Sequence, residues 1–133
     1  MSTPARRFGQ VAGSVYTALG LLGFAVTGLA GFAATTGPIL FGLRLNPLHN
    51  TLHLLIGVAL VIAAARGEDE ARTISMLTAA AYGVVGLLGL ALVGTDGNVL
   101  ALNHPDNVLH LLTAVVATLA TIASRDVPEP STT

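Results

Sequence analysis

Four long apolar runs divide the chain, and each lacks Asp, Glu, Lys and Arg over a length that can cross a bilayer. They cover residues 11–35, 49–65, 73–94 and 107–124. A helix needs about 20 residues to cross the hydrocarbon core, within a range of about 17–25. The runs show almost none of the polar positions at a 3.6-residue period that a soluble bundle carries. The pattern therefore predicts four membrane-spanning helices.

The two halves of the chain repeat one pattern of polar and small residues. Asn46, Asn50 and His53 return 57 residues later as Asn103, Asn107 and His110, and Tyr16, Gly20 and Gly23 return 66 residues later as Tyr82, Gly86 and Gly89. Each unit holds two helices, and an even number keeps the orientation, so the repeats are parallel and related by an axis along the membrane normal. The predicted fold is an all-α integral membrane four-helix bundle built from two parallel two-helix repeats.

This pattern also divides the chain into regions. We assign residues 1–10 to a cytoplasmic N-terminal tail and residues 125–133 to a disordered C-terminal tail. Residues 11–124 form the four-span membrane domain, with repeats of about 11–66 and 73–124.

Arginine placement predicts the orientation. One side of the membrane receives Arg6, Arg7, Arg66, Arg72 and Arg125, whereas the other receives Arg44 alone. By the positive-inside rule, both termini are then cytoplasmic. The membrane is expected to be the plasma membrane. The Tyr16 and Tyr82 hydroxyls are expected near the cytoplasmic end, where interfacial anchors lie.

Composition supports the membrane assignment and excludes several functions. The chain is 53% hydrophobic and 10% charged, whereas a soluble domain carries about 25% charged residues. A formal net charge of −1 gives no footprint for nucleic acid. The absence of Cys excludes disulfides and thiolate chemistry. The expected partner is the lipid bilayer, and a homo-oligomer or a membrane protein partner stays open.

Polar residues cluster where the second and fourth runs begin, on the predicted outer face. The candidate cluster or ligand site comprises Asn46, His49, Asn50, His53, Asn103, Asp106, Asn107 and His110. Asn and Asp are natural N-cap residues, so part of this set belongs to helix starts. We expect His53 and His110 to face the bundle interior and to hydrogen-bond with Asn from the sister repeat.

The tyrosine and glycine repeat predicts helix packing. Positions i, i+4 and i+7 share one helix face, so Tyr16, Gly20 and Gly23 form one stripe. Tyr82, Gly86 and Gly89 form the matching stripe. Small residues allow helix backbones to approach closely in a membrane. We therefore expect these glycines at helix–helix contacts.

Four spans together with the Asn50-x-x-His53 and Asn107-x-x-His110 pairs resemble an actinobacterial membrane family catalogued as domain of unknown function 4383. The resemblance covers about residues 8–124. It implies a four-span topology and a membrane location. It implies no activity and no catalytic residue.

Three functions remain open from the sequence. The first is a non-enzymatic structural or accessory bundle. The second is haem binding between His53 and His110, or metal binding by His49, His53, His104, His110 and Asp106. The third is a transporting or proton-conducting oligomer. No nucleophile–base or phosphate-binding motif is present, so we expect no enzyme, no catalytic residue, no cofactor and no bound metal.

Overall fold

The structure is a computed structural model that describes residues 2–124. Its elements in chain order are α1 Pro4–Thr27, β1 Ile39–Leu40, β2 Leu43–Arg44, α2 Pro47–Arg66, α3 Glu68–Leu92 and α4 His104–Ala123. All four helices are long and apolar enough to cross a membrane. The predicted four-helix membrane bundle is confirmed.

Each half of the chain forms a helical hairpin. Helix α1 packs most extensively on α2, and α3 packs most extensively on α4. Smaller contacts of α2 with α3, and of α1 with α3 and α4, join the two hairpins. We call the end that holds residues 28–46 and 93–103 the loop end, and the end that holds the turn at Gly67 the turn end.

Small residues set the close approach within each hairpin. A Cβ atom added at Gly57 would lie 2.8 Å from the Gly13 carbonyl oxygen and 2.6 Å from Thr17 Oγ1. In the second hairpin the equivalent of Thr17 is Gly83, which faces Ala114 with 3.8 Å between the added Cβ and the real one. The glycine of this contact therefore lies on α2 in the first hairpin and on α3 in the second. Each hairpin keeps a close helix–helix contact at this position.

Apolar side chains also cover the outside of the bundle. Leu77 is 60% exposed and Leu87 is 64% exposed, and most of the other exposed large apolar side chains lie on the four helices. A soluble protein would not expose so many apolar side chains together. Lipid chains are the environment that suits this surface, and the apolar core of Phe8, Leu60, Ala79 and Ala117 lies between the helices.

Helix α1 begins at Pro4, so the assignment of residues 1–10 to a tail is wrong for the part from Pro4 onward. Thr3 caps the helix and Pro4 opens it. Arg6 then donates from Nε to the Ala64 carbonyl at 2.9 Å, which docks this turn on α2. Charged residues mark where a helix leaves the hydrocarbon, and the helix itself continues past them. The predicted tail 125–133 lies outside the described residues.

A short β-hairpin lies in the longer connection, where the sequence predicts only a loop. Its two strands pair antiparallel through Leu40 and Leu43. Gly42 turns between them at φ 86°, a conformation that favours glycine. Gly42 accepts a hydrogen bond from Asn103 Nδ2 at 2.9 Å, which fastens the hairpin to the start of α4. Strands of two residues are too short to produce an alternating pattern in the sequence.

Candidate functional site

Two asparagines start the helices that carry the site. Asn46 caps α2 by accepting the His49 N–H on Oδ1 at 2.8 Å. Asn103 caps α4 by accepting the Asp106 N–H at 3.0 Å, and the Asp106 carboxylate accepts the Asn103 N–H at 2.9 Å. This reciprocal pair is a capping box. The caps place His53 and His110 each at the seventh position of a 20-residue helix.

Three histidines meet inside the bundle near the loop end, and we call them the histidine cluster: His49, His53 and His110. Each is 1% exposed. The Nε2 atoms of His53 and His110 lie 3.4 Å apart. His49 packs against both, with ring centroids 4.3 Å from His53 and 5.5 Å from His110. One nitrogen from each ring can be chosen so that all three lie within 4.8 Å of one another.

Two tyrosines flank the histidine cluster. The Tyr16 ring centroid lies 5.1 Å from that of His53, and the Tyr82 ring stacks on His110 with centroids 4.7 Å apart. The Tyr16 hydroxyl hydrogen-bonds with Thr113 Oγ1 at 2.6 Å. Both tyrosines are buried, so the prediction that they anchor the cytoplasmic interface is wrong. Because α1 begins at Pro4, Tyr16 lies in the middle of that helix.

The predicted hydrogen bonds between asparagine and histidine are not formed in the described part of the chain. Asn50 donates to Thr27 Oγ1 at 2.9 Å, and Asn46 donates to the carbonyls of Ala34 and Val99, each at 2.8 Å. The histidines of the pair contact each other instead. The reason is a rotation around the helix, because Asn50 points toward α1 whereas His53 points toward the bundle axis.

Glycines make room for the buried asparagines. A Cβ added at Gly23 would overlap the Asn50 side chain, and one added at Gly89 would overlap the Asn107 side chain. One turn earlier, an added Cβ at Gly20 would lie 2.9 Å from the Asn50 carbonyl oxygen, and one at Gly86 would lie 3.3 Å from that of Asn107. All four glycines therefore lie at helix–helix contacts, in matching positions of the two hairpins.

Several buried polar atoms in and around the histidine cluster have no hydrogen-bond partner among residues 2–124. They are both ring nitrogens of His49, the Nδ1 atoms of His53 and His110, the Tyr82 hydroxyl and both side-chain polar atoms of Asn107. Buried polar groups in proteins nearly always have a partner. These atoms therefore leave hydrogen-bonding or ligand positions at one place for a buried water or a bound group.

The nitrogen spacing fits a single metal ion. Metal–imidazole bonds of about 2.0–2.1 Å place two nitrogens on one ion about 3.3–3.6 Å apart. The His53–His110 separation of 3.4 Å falls in this range. His49 lies within 4.8 Å, so a small movement of its side chain would complete three-coordination. All three rings come from helices, which hold them more rigidly than loops do.

The other two residues of the sequence-derived metal set lie apart from the histidine cluster. His104 is exposed at the first position of α4. Asp106 is fully buried, but its Oδ2 atom is engaged by the backbone N–H groups of Asn103 and Arg44, at 2.9 and 3.1 Å.

The sequence did not associate Tyr16 and Tyr82 with the site. Their recurrence at one position of α1 and α3 was the signal that could have found them.

The fold and the site together define a multi-pass membrane protein with a buried histidine and tyrosine cluster between two helical hairpins. The chain belongs to the family described as Domain of unknown function (DUF4383), whose model matches residues 6–123, and the resemblance seen in the sequence is thereby confirmed. Neither the curated proteins nor the solved structures give a match to this chain.

Proposed function

We propose that this protein is a non-enzymatic plasma-membrane protein whose histidine cluster binds one transition-metal ion. A single observation carries the proposal. Three fully buried imidazoles bring nitrogens within 4.8 Å of one another, and each ring has at least one nitrogen without a partner in the described chain. Imidazole is a ligand for zinc, copper and nickel. Of the functions left open by the sequence, metal binding becomes the leading one.

Burial of the cluster supports a binding role rather than catalysis. A catalytic metal site keeps a coordination position open to water or substrate. Here each histidine is 1% exposed, and Tyr16 and Tyr82 cover the side away from the loop end at 2% and 3% exposure. Substrate would have no path to an ion held at this point without movement of the helices.

The spacing of the two symmetric histidines does not suit a haem. Two axial imidazoles on one iron lie on opposite faces of a flat macrocycle, which needs an open gap between them. The Nε2 atoms lie 3.4 Å apart, and the rings of His49 and Tyr82 pack directly against His110. A single ion fits between these rings, whereas a porphyrin does not.

Metal analysis tests the proposal directly. Wild-type protein is purified in mild detergent, loaded with a transition metal, freed of excess ion and measured for metal per chain. We expect one ion per chain in the wild type and in the His104→Ala control, whose histidine is exposed outside the cluster. His53→Ala and His110→Ala should each lose it. Equal metal content in all four proteins, or no retention by the wild type, would contradict the proposal.

Both termini are proposed to be cytoplasmic, with the loop end outside the cell. Arg6, Arg66 and Arg72 belong to the turn end, whereas Arg44 belongs to the loop end, which supports this orientation. The chain has no Cys, so single cysteines can report it. In intact cells, an impermeant maleimide should label Asp96→Cys and spare Glu70→Cys, since both positions are exposed at opposite ends. The reverse labelling would overturn the orientation.

A purely structural or accessory role is the second candidate, and a homo-oligomer would need a packing face that the bundle leaves free. Gly20, Gly23, Gly86 and Gly89 are all used in contacts inside the bundle, so they provide no free surface for a second copy. A homo-oligomer therefore stays a prediction without support from these glycines. No observation in the described structure favours a transporting oligomer.

A further inference from the structure

The two hairpins leave a groove where α1 and α4 meet on the outside of the bundle. These helices belong to different hairpins, and they pack on each other much less extensively than α1 packs on α2. The space between them has a volume of about 480 Å³, and we call it the α1/α4 groove. Val11 and Leu112 line it and are 67% and 60% exposed, so the groove is open toward lipid.

The α1/α4 groove follows one leaflet of the bilayer. On α1 its lining begins at Pro4 and ends at Tyr16, twelve residues further on. This is about 18 Å along the helix axis at 1.5 Å per residue. One leaflet contributes half of a hydrocarbon core about 30 Å thick. The groove therefore has the length of one lipid chain in the leaflet at the turn end.

The end of the groove at the turn end, which we call its mouth, is positively charged. Arg7 is exposed and lines the groove there. Arg6 is its neighbour on α1, and Glu68 accepts a hydrogen bond from Thr3 Oγ1 at the start of the same helix. Two arginines and one glutamate give this mouth a net charge of +1 in the described chain.

The pseudo-symmetry of the bundle repeats the groove between α2 and α3. Ala59 and Ala63 line this second groove at the positions that Val116 and Ala120 occupy in the first, with the offset of 57 residues. Ile74 lines it at the position of Phe8, with the offset of 66. The two grooves are therefore equivalent in their apolar parts.

The mouths of the two grooves differ in charge. In the second groove Thr73 stands at the position of Arg7, and Glu70 stands at the position of Pro4. Arg66 and Asp69 also line it, so one arginine and two acidic residues give a net charge of −1. An anion is attracted to the first mouth and repelled from the second.

We propose that the α1/α4 groove binds one acyl chain of an anionic phospholipid, with the lipid phosphate at Arg7. The apolar lining suits the chain, and a guanidinium group matches the geometry of a phosphate. Basic residues at a membrane surface attract anionic lipids. A second copy of the chain fits this surface less well, because a symmetric pair joined through the groove would bring two Arg7 side chains together.

The absence of Trp from the chain allows a single tryptophan to report which lipid occupies the groove. Val11→Trp places the reporter on the groove wall, one helical turn from Arg7. Leu77→Trp is the matched control, since Leu77 is the repeat equivalent of Val11, is 60% exposed and follows Thr73 by one turn. Full-length protein is placed in phosphatidylcholine bilayers that contain brominated phosphatidylglycerol or brominated phosphatidylcholine. Bromine on the lipid chain quenches a tryptophan that it contacts, so the two quenching curves give the relative affinity of the anionic lipid.

We expect Val11→Trp to report a preference for phosphatidylglycerol of about fivefold, the effect of one basic residue near the surface. Leu77→Trp should report no preference. Arg7→Gln in the Val11→Trp protein should remove the preference. Arg66→Gln in the same protein should retain it, because this arginine lines the other groove.

A second pair of variants tests the groove apart from the charge. Val116 lines the α1/α4 groove and is 52% exposed, whereas its neighbour Val115 is 56% exposed and does not line it. Since both side chains are exposed, a larger one can be introduced without overpacking the core. Val116→Phe in the Val11→Trp protein should fill the groove and remove the preference, and Val115→Phe should retain it.

Three outcomes would overturn the proposal. The first is equal quenching of Val11→Trp by the two brominated lipids. The second is a preference that Arg7→Gln removes and Val116→Phe leaves unchanged, which would reduce the effect to attraction at the membrane surface. The third is a preference that appears only in Asp126→Asn with Glu129→Gln, which would make the acidic residues of the chain's own C-terminal segment the partners of Arg7. All measurements use metal-free protein, so they are independent of the metal binding proposed above.

Discussion

Replacing His49 by leucine should separate stability from binding, because this side chain is buried with little hydrogen bonding. It is 1% exposed, and neither ring nitrogen has a hydrogen bond of good geometry within residues 2–124, although the backbones of Arg44 and Leu100 lie close enough to interact with the ring. A histidine that served only the fold would be expected to bond a neighbour, as Tyr16 bonds Thr113 at 2.6 Å. His49 therefore carries the cost of burial with less compensation than a well-bonded structural polar group receives.

The expected magnitude follows from opposing contributions. A buried polar atom without a partner costs about 1–3 kcal/mol, and His49→Leu removes this cost. The ring contacts with His53 and His110 are lost, at about 0.5–1.5 kcal/mol. Leucine fits the space imperfectly, which adds less than about 1.5 kcal/mol. The mid-range values of these contributions nearly cancel, so the unfolding free energy of the metal-free variant should lie within about 1 kcal/mol of that of the wild type.

Bound metal should make the wild type more stable than His49→Leu. An ion at 100 times its dissociation constant stabilises a protein that binds it by about 2.7 kcal/mol, and His49→Leu should not receive this gain. Unfolding by dodecyl sulfate in mixed micelles, with chelator and then with a transition-metal ion that the wild type retains, measures both states. Thr113→Val is the matched control for a polar group that does have a partner, and should lose about 0.6 kcal/mol in either condition. A loss of 1 kcal/mol or more in metal-free His49→Leu would refute the reasoning.

Two further changes test how the helices pack. Gly57→Ala should destabilise the protein by about 1–3 kcal/mol, because the new Cβ would meet the Thr17 backbone. Gly83→Ala meets nothing closer than 3.8 Å, so it should be neutral or stabilise the protein by up to about 1 kcal/mol. Equal unfolding free energies of the two variants would contradict this. Ser124→Ala should cost about 1 kcal/mol in the same assay, because Ser124 Oγ accepts the buried Ala5 N–H at 2.8 Å, and an unchanged value would show that another group replaces it.

The repeat made much of the fold predictable. Matching polar positions placed Asn46 and Asn103 at helix starts and paired His53 with His110, and the structure brings that pair into contact. The hydrogen-bond partners could not be predicted, because periodicity assigns a helix face only approximately. Asn50 and His53 are three residues apart and so lie about 60° apart around the helix, which is enough for one to face the partner helix while the other faces the axis.

The predicted depth of the two tyrosines in the membrane was wrong for a different reason. Charged residues mark the ends of the predicted spans, which places the start of the first span at residue 11 and Tyr16 near an interface. Arg6 and Arg7 lie within the helix, whose first turns extend beyond the apolar run. Hydropathy measures the part of a helix that hydrocarbon can cover, and it carries little information on where hydrogen bonding begins.

The asymmetry of the site comes from a buried position at which the two helix starts differ. At the 57-residue offset that pairs His53 with His110, His49 pairs with Asp106, and both are buried. An identical residue at both positions would give either four neutral imidazoles or two carboxylates. The first repeat therefore contributes His49 and His53 to the cluster, whereas the second contributes His110 and has the Asp106 carboxylate where a fourth imidazole would lie. A pseudo-symmetric scaffold thus holds an asymmetric site, because the second imidazole comes from the first repeat alone.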